Sequence, residues 1–142
     1  MTALFEHSPW VEARADAQPS SGDRHADLMR VVVEASDDER LALIRAHPEL
    51  ASKVKLTDAS EAEQASAGLD KLSPAEFARF RELNAAYREK FGFPFIICVR
   101  LTDKAGILAA METRLANDRA TELATAIGEI GKIVKLRLED AG

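Results

Sequence analysis

Apolar residues recur along this chain at helical rather than strand-like spacing. Between Asp23 and Ala35 the apolar positions are Leu28, Val31, Val32 and Ala35, a 3.6-residue pattern. Ser36-Asp37-Asp38-Glu39 has the spacing of a capping box. The helix behind it carries Leu41, Leu43 and Ile44. It is predicted to end at Ala46-His47, because Pro48 disfavours helical geometry in the residue before it. Ser73-Pro74-Ala75-Glu76 is the clearest start, followed by a stripe of Phe77, Phe80, Leu83 and Tyr87 and an exit at Gly92. Thr102 is predicted to open the next helix, with Ile107, Leu108, Met111 and Leu115 inward. Asn117-Asp118 breaks it, and Asp118 caps a last helix showing Leu123, Ile127, Ile130, Val134 and Leu138.

Three further segments complete the pattern. Ser8-Pro9-Trp10 reads as an N-cap with proline in the first turn, starting a short helix to about Ala15, and residues 17–22 form a polar break. Ser60-Glu61-Ala62-Glu63 repeats the capping-box spacing, with Gly68 as the exit. Phe93 to Leu101 is a nearly continuous apolar run that suits either a buried strand or buried irregular chain. A lone strand would leave unpaired edges. The expected fold is therefore all-α: a compact, single-domain bundle over residues 1–142, of about six to eight helices packed around one extended apolar segment.

Bulk properties narrow the function. A chain of 142 residues suits one domain with a real core. The net charge of −5 argues against nucleic acid, which calls for a basic footprint, yet leaves room for a small anionic ligand held by one or two local cations. The single cysteine, Cys98, excludes an internal disulfide framework and suits a cytoplasmic protein. No apolar run reaches membrane-spanning length, and neither a secretory signal nor a peroxisomal C-terminus is visible.

Candidate chemistry is sparse. His7, His25 and His47 share no i, i+4 face and no Cys-x-x-Cys occurs, so no metal site is expected. Nor is there a phosphate-cradling glycine loop. Cys98, within Ile96-Ile97-Cys98-Val99, reads as a buried inert thiol rather than a nucleophile. His47 is either a helix-end histidine favoured by the macrodipole or a general acid or base at a pocket rim. Glu63 either caps its helix or faces a ligand together with Ser60 and Gln64, whose amide suits a urea-like group. Arg114 reads as a salt-bridged surface residue or as a carboxylate clamp. Phe91-Gly92-Phe93-Pro94-Phe95 is an aromatic turn that seals the core and bends the backbone beyond it.

Taken in order, several of these stretches resemble the 2-oxo-4-hydroxy-4-carboxy-5-ureidoimidazoline (OHCU) decarboxylase family. They are Phe5-Glu6-His7-Ser8-Pro9-Trp10-Val11, Ile44-Arg45-Ala46-His47-Pro48-Glu49-Leu50, and Ser60 through Gln64 with Ala67-Gly68-Leu69. Leu83-Asn84 with Tyr87, Phe91 through Ile96, and Arg114-Leu115 with Asn117 follow. The resemblance implies an all-helical, usually dimeric, cytoplasmic enzyme of urate catabolism that forms (S)-allantoin without a cofactor. It makes His47 the catalytic histidine and Glu63 its acidic partner. It makes Pro48, Ser60 and Gln64 substrate contacts, matches Phe95, Ile96, Ile97, Cys98 and Val99 to main-chain contacts, and matches Arg114 to a cationic contact. It also implies another helix ahead of the Phe5–Trp10 element, where this chain has four residues. Two rivals predict otherwise. A helical interaction domain would leave His47 and Glu63 apart and facing solvent, whereas an enzyme of a related ureido compound would keep the pocket and alter its reach near Gln64 and Arg114.

Overall fold

The computed structural model describes residues 4–5, 8–47, 50 and 58–141. Among these, seven α-helices and a 3-10 turn account for the regular structure, and no strand occurs. The helices are α1 (Trp10–Asp16), α2 (Arg24–Glu34), α3 (Asp37–Arg45), α4 (Asp58–Ser66), α5 (Pro74–Phe91), α6 (Lys104–Arg114) and α7 (Arg119–Ala141), with the 3-10 turn at Val99–Leu101. The all-α reading holds.

The helix starts follow the capping chemistry closely. Ser36 and Ser73 both form reciprocal capping boxes, with Glu39 and Glu76 respectively. Gly92 ends α5 in the left-handed region at φ +82°, its N–H donating to the Arg88 carbonyl, a conformation that disfavours any residue with a Cβ. Asp118 accepts the Thr121 N–H at 2.7 Å and so caps α7. Three starts differ from expectation. Pro9 is itself the N-cap of α1, with no side-chain cap bond there. Helix α6 begins two residues after Thr102, with Asp103 accepting from the Gly106 N–H at 2.9 Å. Helix α4 begins at Asp58, two residues before Ser60, so Ser60 lies inside the helix rather than capping it.

The long helix α7 is the spine against which α2 and α3 pack, while α1 packs on α2 and α6 on α5. Its buried stripe runs Glu122, Ala126, Ile130, Ile133, Val134 and Arg137. Leu123, Ile127 and Leu138, expected inward, are only half-buried. The helix is turned slightly so that two charged side chains enter the interior along with the aliphatic ones.

The apolar run after Gly92 is extended, irregular chain leading into the 3-10 turn, and it is buried at Phe93, Phe95, Ile96, Cys98 and Val99. Tyr87 anchors it. Its ring lies 4.5 Å from that of Phe91, 5.9 Å from Phe93 and 5.3 Å from Phe95, the last two edge-on, the geometry aromatic quadrupoles favour. Helix α4 packs on the 3-10 turn. This brings α4, the end of α3 and the extended run to one place.

Candidate active site

At that place lies a cleft between the three segments. His47 stands at the end of α3. Ser60, Glu63 and Gln64 come from α4, where i, i+3 and i+4 spacing puts them on one face. Phe95, Ile96, Ile97 and Val99 form the extended wall. Eight of the residues expected from the sequence thus share one concavity, which removes the prediction of the interaction-domain rival that His47 and Glu63 lie apart. Pro48 falls outside the described residues. Leu50, Ile133 and Arg137 also line it.

His47 is 7% exposed. Its backbone N–H donates to the Ile44 carbonyl at 3.1 Å, and its ring Nδ1 lies 3.1 Å from the Leu43 carbonyl oxygen. A carbonyl oxygen only accepts, so Nδ1 carries the proton. In the neutral ring Nε2 is then the basic nitrogen. Helix α3 ends at Arg45, so the Leu43 carbonyl in its last turn is free to orient this imidazole.

Glu63 is held by Arg137 in a two-pronged ion pair. The Arg137 Nε donates to Oε2 at 2.9 Å and Nη2 to Oε1 at 2.7 Å. The same guanidinium reaches Ser60 Oγ at 3.4 Å and the Leu4 carbonyl at 3.3 Å. Arg137 is 2% exposed, and a planar fork of donors suits this set of acceptors. The sequence reading missed it. A signal was present: Arg137 stands three residues after Val134 and seven after Ile130, on the apolar face of α7. A cation on such a stripe needs a buried anionic partner.

Arg114 and Cys98 lie behind the wall instead of lining it. The Arg114 Nε donates to Glu122 Oε1 at 2.8 Å and Nη1 to the Ile96 carbonyl at 2.8 Å. Glu122, fully buried, also accepts from the Tyr87 hydroxyl at 2.6 Å and the Asn117 amide at 2.9 Å. Burial, and then the bond to Glu122, push the Tyr87 hydroxyl well above its ordinary range. Arg114 is therefore directed to a buried network, and among the described residues the cation lining the cleft is Arg137. The Cys98 thiol is buried, and desolvation raises its pKa, which suits an inert thiol. The Cys98 N–H donates to Glu129 Oε1 at 3.1 Å.

Among the described residues no cluster of three or more His, Cys, Asp or Glu could hold a metal ion. The cleft offers an oriented imidazole, a carboxylate locked to a guanidinium, a hydroxyl, an amide and an aliphatic floor. That set can bind a small polar molecule and move a proton on it.

Comparison with known proteins gives the same direction. Residues 1–139 match the OHCU decarboxylase family. The chain is 45% identical over 140 residues to the 2-oxo-4-hydroxy-4-carboxy-5-ureidoimidazoline decarboxylase of Haloferax volcanii, covering 96% of this chain and 83% of that one. It is 40% identical over 141 residues to the uric acid degradation bifunctional protein PucL of Bacillus subtilis, covering 97% of this chain and 28% of that one. Among solved structures it is similar to an (S)-allantoin synthase, with a TM-score of 0.73 and 31% identity over 97% of this chain and 46% of the other. The chain belongs to the OHCU decarboxylase family.

Proposed function

We propose that this protein decarboxylates OHCU to (S)-allantoin in urate breakdown, by acid–base catalysis in the cleft between α3, α4 and the extended wall. The observation that carries the reading is the convergence of His47, Ser60, Glu63 and Gln64 on one pocket in a chain of this family.

The chemistry asks little beyond positioning. The substrate bears a carboxylate and a hydroxyl on one ring carbon, next to an imine. As the carbon–carbon bond breaks, CO2 leaves and its electron pair flows into the imine, so the substrate contains its own electron sink. Protonation of the resulting enol-like intermediate on one face sets the (S) centre. His47, its Nδ1 proton tied to Leu43, presents Nε2 to the reacting centre and shuttles the proton. Glu63 manages the hydroxyl proton and steadies Arg137, which takes the role of the anion-binding cation. Gln64 and Ser60 pair with the ureido arm, and the main chain of the 95–99 wall fixes the ring. Holding reactants in such an orientation supplies much of the barrier lowering.

The same reading makes the protein a cytoplasmic homodimer. The family resemblance supports the dimer, and the single buried thiol suits a reducing compartment. Light scattering on the purified protein is then expected to give about twice the 15.5 kDa chain mass.

The activity is tested by circular dichroism on freshly generated OHCU, which decays unaided to racemic allantoin. A rapid (S)-allantoin signal is expected with the protein and little or none with His47→Asn. Positioned acid–base groups typically supply ~10²–10⁴-fold, so a loss of at least ~10²-fold with an unchanged helical spectrum is the expected size. Turnover by His47→Asn at the normal rate would remove His47 from the mechanism. Racemic product at the uncatalysed rate with the unaltered protein would overturn the function.

A further inference from the structure

The extended wall of the cleft has no sheet to hold it. Residues 93–98 pair with no strand among the described residues, so side-chain donors and acceptors must set the direction of its peptide groups. Two do so. Arg114 Nη1 holds the Ile96 carbonyl at 2.8 Å, and Glu129 Oε1 holds the Cys98 N–H at 3.1 Å. The Arg114 guanidinium carbon also lies 4.3 Å from the centre of the Phe95 ring, within cation–π range. Arg114 is itself fixed by Glu122, which Tyr87 and Asn117 hold in turn.

We propose that Arg114 is a positioning residue, which sets the substrate-facing wall by gripping the Ile96 carbonyl and the Phe95 ring from behind without touching the substrate. In extended chain, successive residues direct their N–H and C=O groups to opposite edges. With the Ile96 carbonyl and the Cys98 N–H both turned into the protein, the Ile97 peptide groups point the other way, onto the cleft that Ile97 lines. Among the described residues no protein group bonds the Ile97 N–H or C=O. Arginine suits the task because one planar group serves Glu122 and the Ile96 carbonyl together. A lysine is a point charge that would satisfy Glu122 and release the carbonyl.

The inference rests on the proposed function for the identity of the substrate, and its test separates the two. Steady-state kinetics on OHCU compare the unaltered protein with Arg114→Lys and with the double variant Arg114→Met/Glu122→Leu. The double variant replaces the whole buried pair and keeps the experiment interpretable if the lysine variant does not fold. The expected result is a KM raised about tenfold in either folded variant, with kcat changed less than KM. A merely structural role would lower kcat in proportion to the folded fraction at unchanged KM, and that result overturns the proposal. Amide hydrogen exchange needs no substrate: the amides of residues 97–99 are expected to exchange at least tenfold faster in the variants, with α2 unchanged. Unaltered exchange there would equally overturn it. An unaltered protein inactive on OHCU would refute the proposed function alone, and exchange would then decide the role of Arg114.

Discussion

At the scale of single residues, the most consequential contact is the ion pair between Glu63 and Arg137, whose side chains are 12% and 3% exposed. Charges this deep are costly unless paired, so removing one partner strands the other. Breaking such a pair typically costs ~3–5 kcal/mol, whereas removing both partners costs far less. Chemical denaturation of Glu63→Gln, Arg137→Gln and the double variant is expected to show strong coupling, with the double variant more stable than the sum of the singles. Additive losses would mean that the pair is not coupled in solution. Cys98 gives a second residue-scale expectation. Its thiol is buried and its pKa is raised by that burial, and the thiolate is the reactive form. A thiol reagent at pH 8 is therefore expected to label one cysteine only after denaturant is added. Fast labelling of the native protein would contradict the burial.

At the scale of elements, the stops and starts of α5 carry separable energies. A Cβ at Gly92 would meet only Arg45 Nη2, at 3.9 Å, so Gly92→Ala is uncrowded and its cost is conformational. At φ +82° that cost is expected to be about 1–2 kcal/mol. The Gly92 carbonyl accepts from the Arg45 Nε and Nη2 at 3.2 and 3.1 Å, so the turn also ties α5 to the end of α3 beside His47. At the other end, Ser73→Ala removes the acceptor of the Glu76 N–H and is expected to cost about 1 kcal/mol. Thermal melts of the two variants check both figures, with the larger drop expected for Gly92→Ala. The capping signals were legible at these ends because each depends on residues three or four apart. The same signal misled at Ser60. There the helix starts at Asp58, and the side chains with capping-box spacing serve Arg137, far along the chain.

At the scale of the whole molecule, several carboxylates couple folding to pH. Asp27 is held below its usual range by the Ser21 hydroxyl and N–H, with Arg30 adding to the effect. The Arg14 guanidinium holds Glu39 down to about 2. The Ser73 N–H and then Lys104 lower Glu76, and the Thr121 N–H lowers Asp118. In each case the folded value lies below the unfolded one, near ~4. Their contribution is thus fully present above the unfolded value and is lost as pH falls through the folded values. The melting temperature is expected to be nearly level from pH 7 to 5 and to fall steeply below pH 4. A melting temperature that rose on acidification would reverse the sign.

What the sequence determined by itself is whatever a short window of chain can encode. The α-helical class, the capping boxes at Ser36 and Ser73 and the left-handed stop at Gly92 follow from local hydrogen bonding and backbone sterics. His47, Ser60, Glu63 and Gln64 were nameable as a group because two short motifs carry them. Tertiary structure alone decided which charged residues share the interior. Leu123 and Ile127 yield burial on α7 to Glu122 and Arg137 because these two meet Arg114 and Glu63, partners 8 and 74 residues away. Apolar periodicity cannot register such a pairing, since it counts only groups that avoid water. For the same reason Arg114 and Arg137 looked alike along the chain, each an arginine on an amphipathic helix. Packing sends one behind the wall of the cleft and the other into its lining, and only the positions of their acceptors distinguish the two.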